Sequence, residues 1–339
     1  MINRIFQLVG TRRIEIAERE LNLDTKKIVV RPEYLSICAA DQRYFWGRRK
    51  KEVLKKKLPM ALIHEGIGKV LYDPTLKLKA GTPVVILPNI PDENCELDVK
   101  ENYRSGSRFC SSNAEGFMQD VLVVPRERVI VLPSNDKIYV MAELLSVSYN
   151  AIKSMKKMEN SENTNIGIWG DGNVAYATAV VLRNMYPDVN IYVFGKHGKK
   201  MQYFSFVTGT YYSDEKPDCL IMDQCYECVG GTGSEDVIEQ MIQCIKPQGE
   251  IALMGVSEEP VRINTRMVLE KGICMIGHSR SAREDFEDAI RLLHVDNSAN
   301  VRMRNILSKT IKVKNVMDIC DAFEEDSMND FKTVMKWEV

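Results

Sequence analysis

The stretch from Asn165 to Lys200 constrains the fold more than any other part of the chain. Ile166 to Trp169 is a short apolar run of strand character. The turn Gly170-Asp171-Gly172-Asn173-Val174-Ala175 follows, then an apolar-rich helical segment to about Met185, then a second strand from Ile191 to Phe194. Together these make a βαβ unit carrying G-x-G-x-x-A, a variant of the dinucleotide-binding fingerprint. Gly170 permits the tight turn, Gly172 lets a pyrophosphate approach the backbone, and Ala175 keeps helix and strand close. The N–H groups and positive dipole end of the helix favour phosphate, with Asp171, Asn173 and Val174 as further candidate contacts. An isolated glycine pattern is often an ordinary turn. Flanked by both strand and helix, this one marks a nucleotide site in a doubly wound parallel sheet of Rossmann type.

An acid at the end of the second strand would accept from the ribose 2′-OH of NAD. This chain reads Phe194-Gly195-Lys196-His197-Gly198-Lys199-Lys200 there, without a carboxylate and with three lysines and a histidine where a 2′-phosphate would lie. Charge runs are commonly solvated, but the missing acid favours NADP(H), with Gly195, Lys196 and Lys199 as contacts. Cys219 to Val229, ending at Gly230-Gly231, reads as a further strand. Ile251 to Val256 reads as the next, placing Gly255 near the nicotinamide, and Ile273 to Gly277 as an edge strand. Cys225-Tyr226-Glu227-Cys228 is a CxxC, but thiols so spaced on a strand point to opposite faces, so no redox or metal role is expected.

A chain of 339 residues exceeds one typical core and suits two domains. Its net charge of −1 supplies no field to draw it to nucleic acid or a membrane. The basic run Arg48 to Lys57 contains Glu52 and few aromatics, and reads as a solvated loop or helix face. No signal peptide or membrane-length apolar run is evident. Nine cysteines without framework spacing suggest reduced thiols and a cytoplasmic location. From Met1 to about Val147, short β-type runs (Lys27 to Val30, Lys69 to Tyr72, Pro83 to Leu87, Val121 to Val124, Val129 to Leu132) separated by turns read as an all-β, barrel-like domain.

Within that domain Cys38 precedes His64-Glu65 by 26 residues. Thiolate, imidazole and carboxylate are the ligand types of a catalytic zinc, which keeps one position open. A lone cysteine is also commonly a small buried hydrophobe, so spacing alone leaves metal binding and simple packing both open.

Several segments in order carry a family resemblance over essentially the whole chain. Cys38 with Asp41, His64-Glu65 with Gly68, Gly116 to Asp120, and Glu143 to Val147 resemble the zinc-dependent medium-chain dehydrogenases, nearest the sorbitol-dehydrogenase-like polyol branch. Ser36 to Tyr44, Leu58 to Gly66, Glu115 to Asp120, Gly167 to Asn173, Tyr192 to Lys196, Glu227 to Gly231 and Asn264 to Gly272 resemble the ribulose-5-phosphate reductases of bacterial CDP-ribitol synthesis. The resemblance implies a GroES-like β-barrel catalytic domain at 1–147, completed by 280–339, around a Rossmann domain at 148–279. It implies zinc held by Cys38, His64 and Glu65, with Glu143 as an additional or exchanging ligand and Asp41 orienting the imidazole. Two departures stand out. Ala40 replaces the hydroxyl residue usual two positions after the cysteine, so that step of a proton relay is absent. Only Cys95 and Cys110 lie where a structural-zinc lobe would need four cysteines, so one zinc per chain is expected.

NADPH-dependent reduction of D-ribulose 5-phosphate to ribitol 5-phosphate is the activity so implied. A homodimer paired through the edge strand is implied with it, as is a cytidylyltransferase as metabolic and candidate physical partner. A phosphorylated substrate needs cationic donors; the candidates are Arg43 beside Tyr44, Arg104, Arg108 and Arg280. His197, His278 and His294 receive no metal role. The alternatives are an NAD-dependent catabolic polyol dehydrogenase and a non-catalytic nucleotide-binding protein of the same fold.

Overall fold

The computed structural model describes residues 2–339 except 24–25, 96–97, 156–163, 216 and 218. The chain divides into two units, Met1–Glu143 with Ser281–Val339, and Leu144–Arg280. The first begins with an antiparallel hairpin, β1 (Ile2–Gly10) and β2 (Arg13–Glu20). Then come β3 (Lys27–Ser36), two short helices α1 (Ala39–Phe45) and α2 (Lys51–Lys57), β4 (Met60–Ala61), β5 (Glu65–Tyr72) and β6 (Pro83–Ile86). The two-residue strands β7 (Asn89–Ile90) and β8 (Arg108–Phe109), β9 (Leu122–Pro125) and β10 (Val129–Val131) follow, and helix α3 (Ala142–Ser154) begins at the end of this unit and runs on into the second.

The second unit is built as the glycine turn demands. β11 (Asn165–Trp169), α4 (Asn173–Met185) and β12 (Asn190–Gly195) form the βαβ start. After these come α5 (Gly198–Met201), β13 (Gly209–Tyr212), β14 (Met222–Glu227), α6 (Ser234–Cys244), β15 (Ile245–Leu253), α7 (Thr265–Lys271) and β16 (Cys274–Gly277). All six strands are parallel, in the order β13-β12-β11-β14-β15-β16. Successive strands lie on opposite sides of β11, so the switch point falls at its carboxyl end, where such sheets hold ligands. Ile166, Ile168 and Trp169 of β11 are fully buried, as expected of a strand covered on both faces. β14 starts at Met222 rather than Cys219, and β15 already at Ile245.

The chain then returns to the first unit with α8 (Arg283–Val295), α9 (Asn297–Asn305), β17 (Leu307–Val313), α10 (Val316–Met328) and β18 (Lys332–Trp337). β17 and β18 extend the large sheet, ordered β10-β6-β5-β3-β18-β17 with β9 also on β3, while β2-β1-β4 forms a small one. Both share one core, in which Phe6 and Leu8 meet Val30, Leu35, Val70, Phe117, Phe323 and Trp337. This topology sets β5, β3 and β18 side by side, with Ser36 opposite both Glu65 and Val334. Three segments distant in sequence, around Cys38, Glu65 and Lys332, are thereby brought to one place.

The loop before β9 is clipped to the segment entering β5: Gly116 N–H donates to Ala61 O at 2.8 Å and Phe117 N–H to Ile63 O at 2.8 Å. A Cβ at position 116 would lie 2.2 Å from Leu62 O and 2.5 Å from Ile63 O, whereas one at Gly10 meets nothing within 4 Å. Gly116→Ala is expected to cost about 2 kcal/mol or more in urea unfolding, and Gly10→Ala less than about 0.5 kcal/mol. Equal midpoints for the two variants would contradict this account of the clip.

Candidate active site

Cys38 caps the start of α1 and His64-Glu65 opens β5. The ligand atoms of Cys38, His64 and Glu65 all lie within 4.8 Å of one another, the one such gathering of three or more His, Cys, Asp or Glu side chains among the described residues. Glu143 stands outside this trio, buried on α3. Asp41, wholly buried, ties the group together. Its carboxylate accepts from Cys38 N–H at 3.1 Å, from Ile63 N–H at 3.1 Å and, by a short bond, from Ser111 Oγ–H. Asp41 Oδ1 also faces His64 Nδ1 at 3.5 Å, an ionic contact without hydrogen-bond directionality. That orientation leaves Nε2 as the nitrogen available to a metal.

Ile63, immediately before the histidine, has φ +72°. A β-branched residue in the left-handed region is a true outlier, costing on the order of 1–3 kcal/mol, and such strain concentrates at functional sites. The Asp41 bond to Ile63 N–H is one restraint that maintains it.

The charges at the site are strongly coupled. Burial would depress the His64 imidazole, but the Asp41 carboxylate and the Cys38 sulfur raise it well above the usual range. Burial would raise Asp41, yet His64 and the hydrogen bonds from Ser111 and Ile63 hold it low. Burial and the charge of Glu65 push the Glu143 carboxyl up to about 7. Glu65 is fully buried; its Oε1 accepts a short bond from Lys332 Nζ, while Oε2 is buried with no hydrogen-bond partner. An orphaned carboxylate oxygen is costly, and a cation beside the thiol and imidazole would satisfy it. The residues therefore fit a tetrahedral metal with one open position.

Lys332 eluded the sequence reading. Only 1 % exposed, it donates to Ile37 O at 3.1 Å as well as to Glu65, whose negative charge holds the ammonium protonated against burial. Its one sequence signal is an inward-facing lysine in the apolar run Phe331 to Trp337. Ser111 carried no signal. Of the proposed phosphate contacts, Tyr44 is buried on α1 beside partly buried Arg43; Arg104 is partly buried and Arg108 exposed. Arg280 belongs to the other unit, is half-buried and has φ +60°.

In the nucleotide unit, Gly170 takes φ +125°, and a Cβ at Gly172 would meet nothing within 4 Å, which leaves the loop open to a phosphate. Asn173 and Val174 form the first turn of α4. A carboxylate does lie near the end of β12, turned onto the loop itself. Asp171 Oδ2 accepts from Lys196 N–H at 2.8 Å and His197 N–H at 2.7 Å, and the His197 imidazole lies 3.0 Å away. These contacts depress the Asp171 carboxyl against its burial and consume the loop amides. A Cβ at Gly195 would come 2.8 Å from Asp171 Oδ2, so glycine makes room for that carboxylate. Lys196 and Tyr212 line a cavity of about 660 Å³ with Ser213, Asp214 and Asp236. Lys199 lies on α5. Gly255 serves packing: Glu227 accepts its N–H at 2.7 Å, together with those of Val229 and Gly230, and its carboxylate occupies the space a Cβ would need.

Residues 220–294 match the zinc-binding dehydrogenase family, and residues 24–134 the alcohol dehydrogenase GroES-like domain. The chain is 43 % identical to ribulose-5-phosphate reductase of Bacillus spizizenii and to ribulose-5-phosphate reductase 2 of Staphylococcus aureus, covering 100 % of both chains in each pairing. The crystal structure of S. aureus TarJ in complex with NADPH superposes with TM-score 0.88 at 40 % identity, over 100 % of both chains. L-idonate 5-dehydrogenase of Escherichia coli, at 18 % identity and TM-score 0.86 over 99 % of this chain and 98 % of its own, shares the fold. The chain belongs to the zinc-dependent medium-chain dehydrogenases, among the ribulose-5-phosphate reductases.

Proposed function

We propose that the chain is a zinc- and NADPH-dependent reductase that converts D-ribulose 5-phosphate to D-ribitol 5-phosphate. The observation that carries this is the gathering of Cys38, His64 and Glu65 in a chain 43 % identical, end to end, to ribulose-5-phosphate reductases. Those three side chains would hold the metal, with Glu143, whose carboxyl is raised by burial and by the charge of Glu65, as an additional or exchanging ligand. When bound, zinc supplies a Lewis acid at the ketone oxygen and the reduced nicotinamide a hydride donor at C2.

The chain's own residues prepare for this. Thiolate and carboxylate neutralise a divalent ion without over-donation, Lys332 balances part of the remaining negative charge, and Asp41 faces Nδ1 and so orients the imidazole. Ala40 offers no hydroxyl, so the proton comes through water, a substrate hydroxyl or another side chain. In the nucleotide unit, Gly170 and Gly172 admit the pyrophosphate, while Lys196 and Lys199 lie beside the expected 2′-phosphate. The reading also includes a homodimer paired through β16, a cytidylyltransferase that consumes the product for ribitol-phosphate polymers such as teichoic acid, and a cytoplasmic location. All nine cysteines are free, which suits a reducing compartment, and no helix among the described residues is long and apolar enough to cross a membrane.

Purified protein should oxidise NADPH with D-ribulose 5-phosphate faster than NADH, and with free D-ribulose only poorly; a preference for NADH would favour the catabolic polyol dehydrogenase instead. Cys38→Ser should abolish turnover and zinc content while sparing NADPH binding, read by metal analysis and fluorescence titration, and full activity in that variant removes the assigned metal site. Asp171→Asn weakens the restraint on Lys196 and His197. It should raise the dissociation constant for NADPH by about tenfold, the scale of a lost charge-assisted hydrogen bond, and that for NADH by less; an unchanged ratio would show that the carboxylate does not set the loop.

A further inference from the structure

The basic run Arg48 to Lys57 reads in sequence as a solvated face, and for most of it the structure agrees. Of its seven cations, Arg48, Lys50, Lys51, Lys55 and Lys56 are exposed, whereas Arg49 and Lys57 fold inward. Both close on the same ring. The Arg49 guanidinium lies 4.7 Å from the centroid of Tyr44, and Lys57 Nζ lies 5.8 Å from it. Tyr44 is 1 % exposed, and its hydroxyl is buried without a hydrogen-bond partner. A buried hydroxyl left unsatisfied beside two cations is a site short of an acceptor.

This cluster adjoins the metal trio through a continuous set of contacts within one unit. Tyr44 sits on α1, the helix that Cys38 caps. Lys57 Nζ donates to Ser112 Oγ at 3.1 Å; the preceding Ser111 bonds Asp41, which faces His64. Ser112 N–H donates to Phe109 O, and the Phe109 ring packs 5.3 Å from that of His64. Two partly buried cations gathered on one ring need a reason, because lysine and arginine are ordinarily left in water. A dianion supplies one: guanidinium for two-point recognition, ammonium as a mobile point charge, hydroxyl as a third donor.

We propose that Arg49 and Lys57, gathered on Tyr44, form the subsite for the phosphate group of the substrate. The inference rests on the sugar-phosphate reading above and specifies the two cations that recognise the phosphate, neither of them among the arginines expected from the sequence. The phosphate lies at the far end of the pentose from the reacting ketone. The serine loop and α1 bridge the distance from the metal trio to these cations.

The test measures KM and kcat for D-ribulose 5-phosphate with saturating NADPH, and competitive inhibition by inorganic phosphate. The proteins are wild type, Arg49→Gln, Lys57→Gln and the exposed control Lys51→Gln. Zinc content and thermal midpoint report folding. Arg49→Gln and Lys57→Gln should each raise KM by about tenfold or more, the scale of a charge-assisted hydrogen bond, with a smaller fall in kcat. Their phosphate inhibition constants should rise in parallel, and Lys57→Arg should recover part of the loss. Lys51→Gln should match wild type. Variants with wild-type KM and phosphate inhibition, or a Lys51→Gln penalty of equal size, would overturn the subsite while leaving the activity standing. Wild-type protein that reduces free ketopentoses and not D-ribulose 5-phosphate would overturn both.

Discussion

The carboxylate of Asp41 is the constraint on which the first unit's chemistry depends. Without exposure to water, it is bound by the backbone ahead of α1, the strained backbone ahead of β5 and the hydroxyl of Ser111, and it faces the imidazole of His64. Each contact comes from a different segment, so one ionised group fixes the relative positions of Cys38, His64 and the serine loop. A buried carboxylate is tolerable only when fully partnered. The requirement works in both directions: the partners keep Asp41 charged, and the charge keeps the partners in place.

A second carboxylate repeats the arrangement in the nucleotide unit. Asp171 lies in the glycine turn ahead of α4, the loop proposed above to admit the pyrophosphate, where an unpaired negative charge would repel an anion. It turns instead toward the tip of β12 and is quenched by two amides and an imidazole. The same turn occupies the place where an NAD-type acid would act, so one side chain both closes that position and shapes the basic loop. Glu227 does comparable work on the far side of β11, collecting amides from the turns after β14 and β15.

What was legible in the sequence was local. The βαβ start, the presence of strands at Lys27, Lys69, Pro83, Val121 and Val129, and the metal trio follow from short patterns whose chemistry is carried by neighbouring residues or by the family resemblance, although β3 runs on to Ser36 and β5 begins already at Glu65. What was hidden depends on contacts across long separations. Lys332 reaches Glu65 over 267 positions and Ser111 reaches Asp41 over 70, and no periodicity announces either. The hairpin of β1 and β2 went unread because its charged outer residues dilute the alternation that marks a strand. No acid follows β12 in sequence, and the nearby carboxylate of Asp171, 25 residues earlier, is spent on the loop amides of Lys196 and His197. The basic run shows the limit of composition: charge alone cannot separate five solvated cations from the two that tuck against Tyr44.

The placement of Lys332 bears on how the protein is made. Glu65 is synthesised early and its balancing ammonium arrives only with β18, after the entire nucleotide unit has left the ribosome. The pair that neutralises this acid therefore joins the two ends of the first unit, and it can close only once the second unit between them has been synthesised.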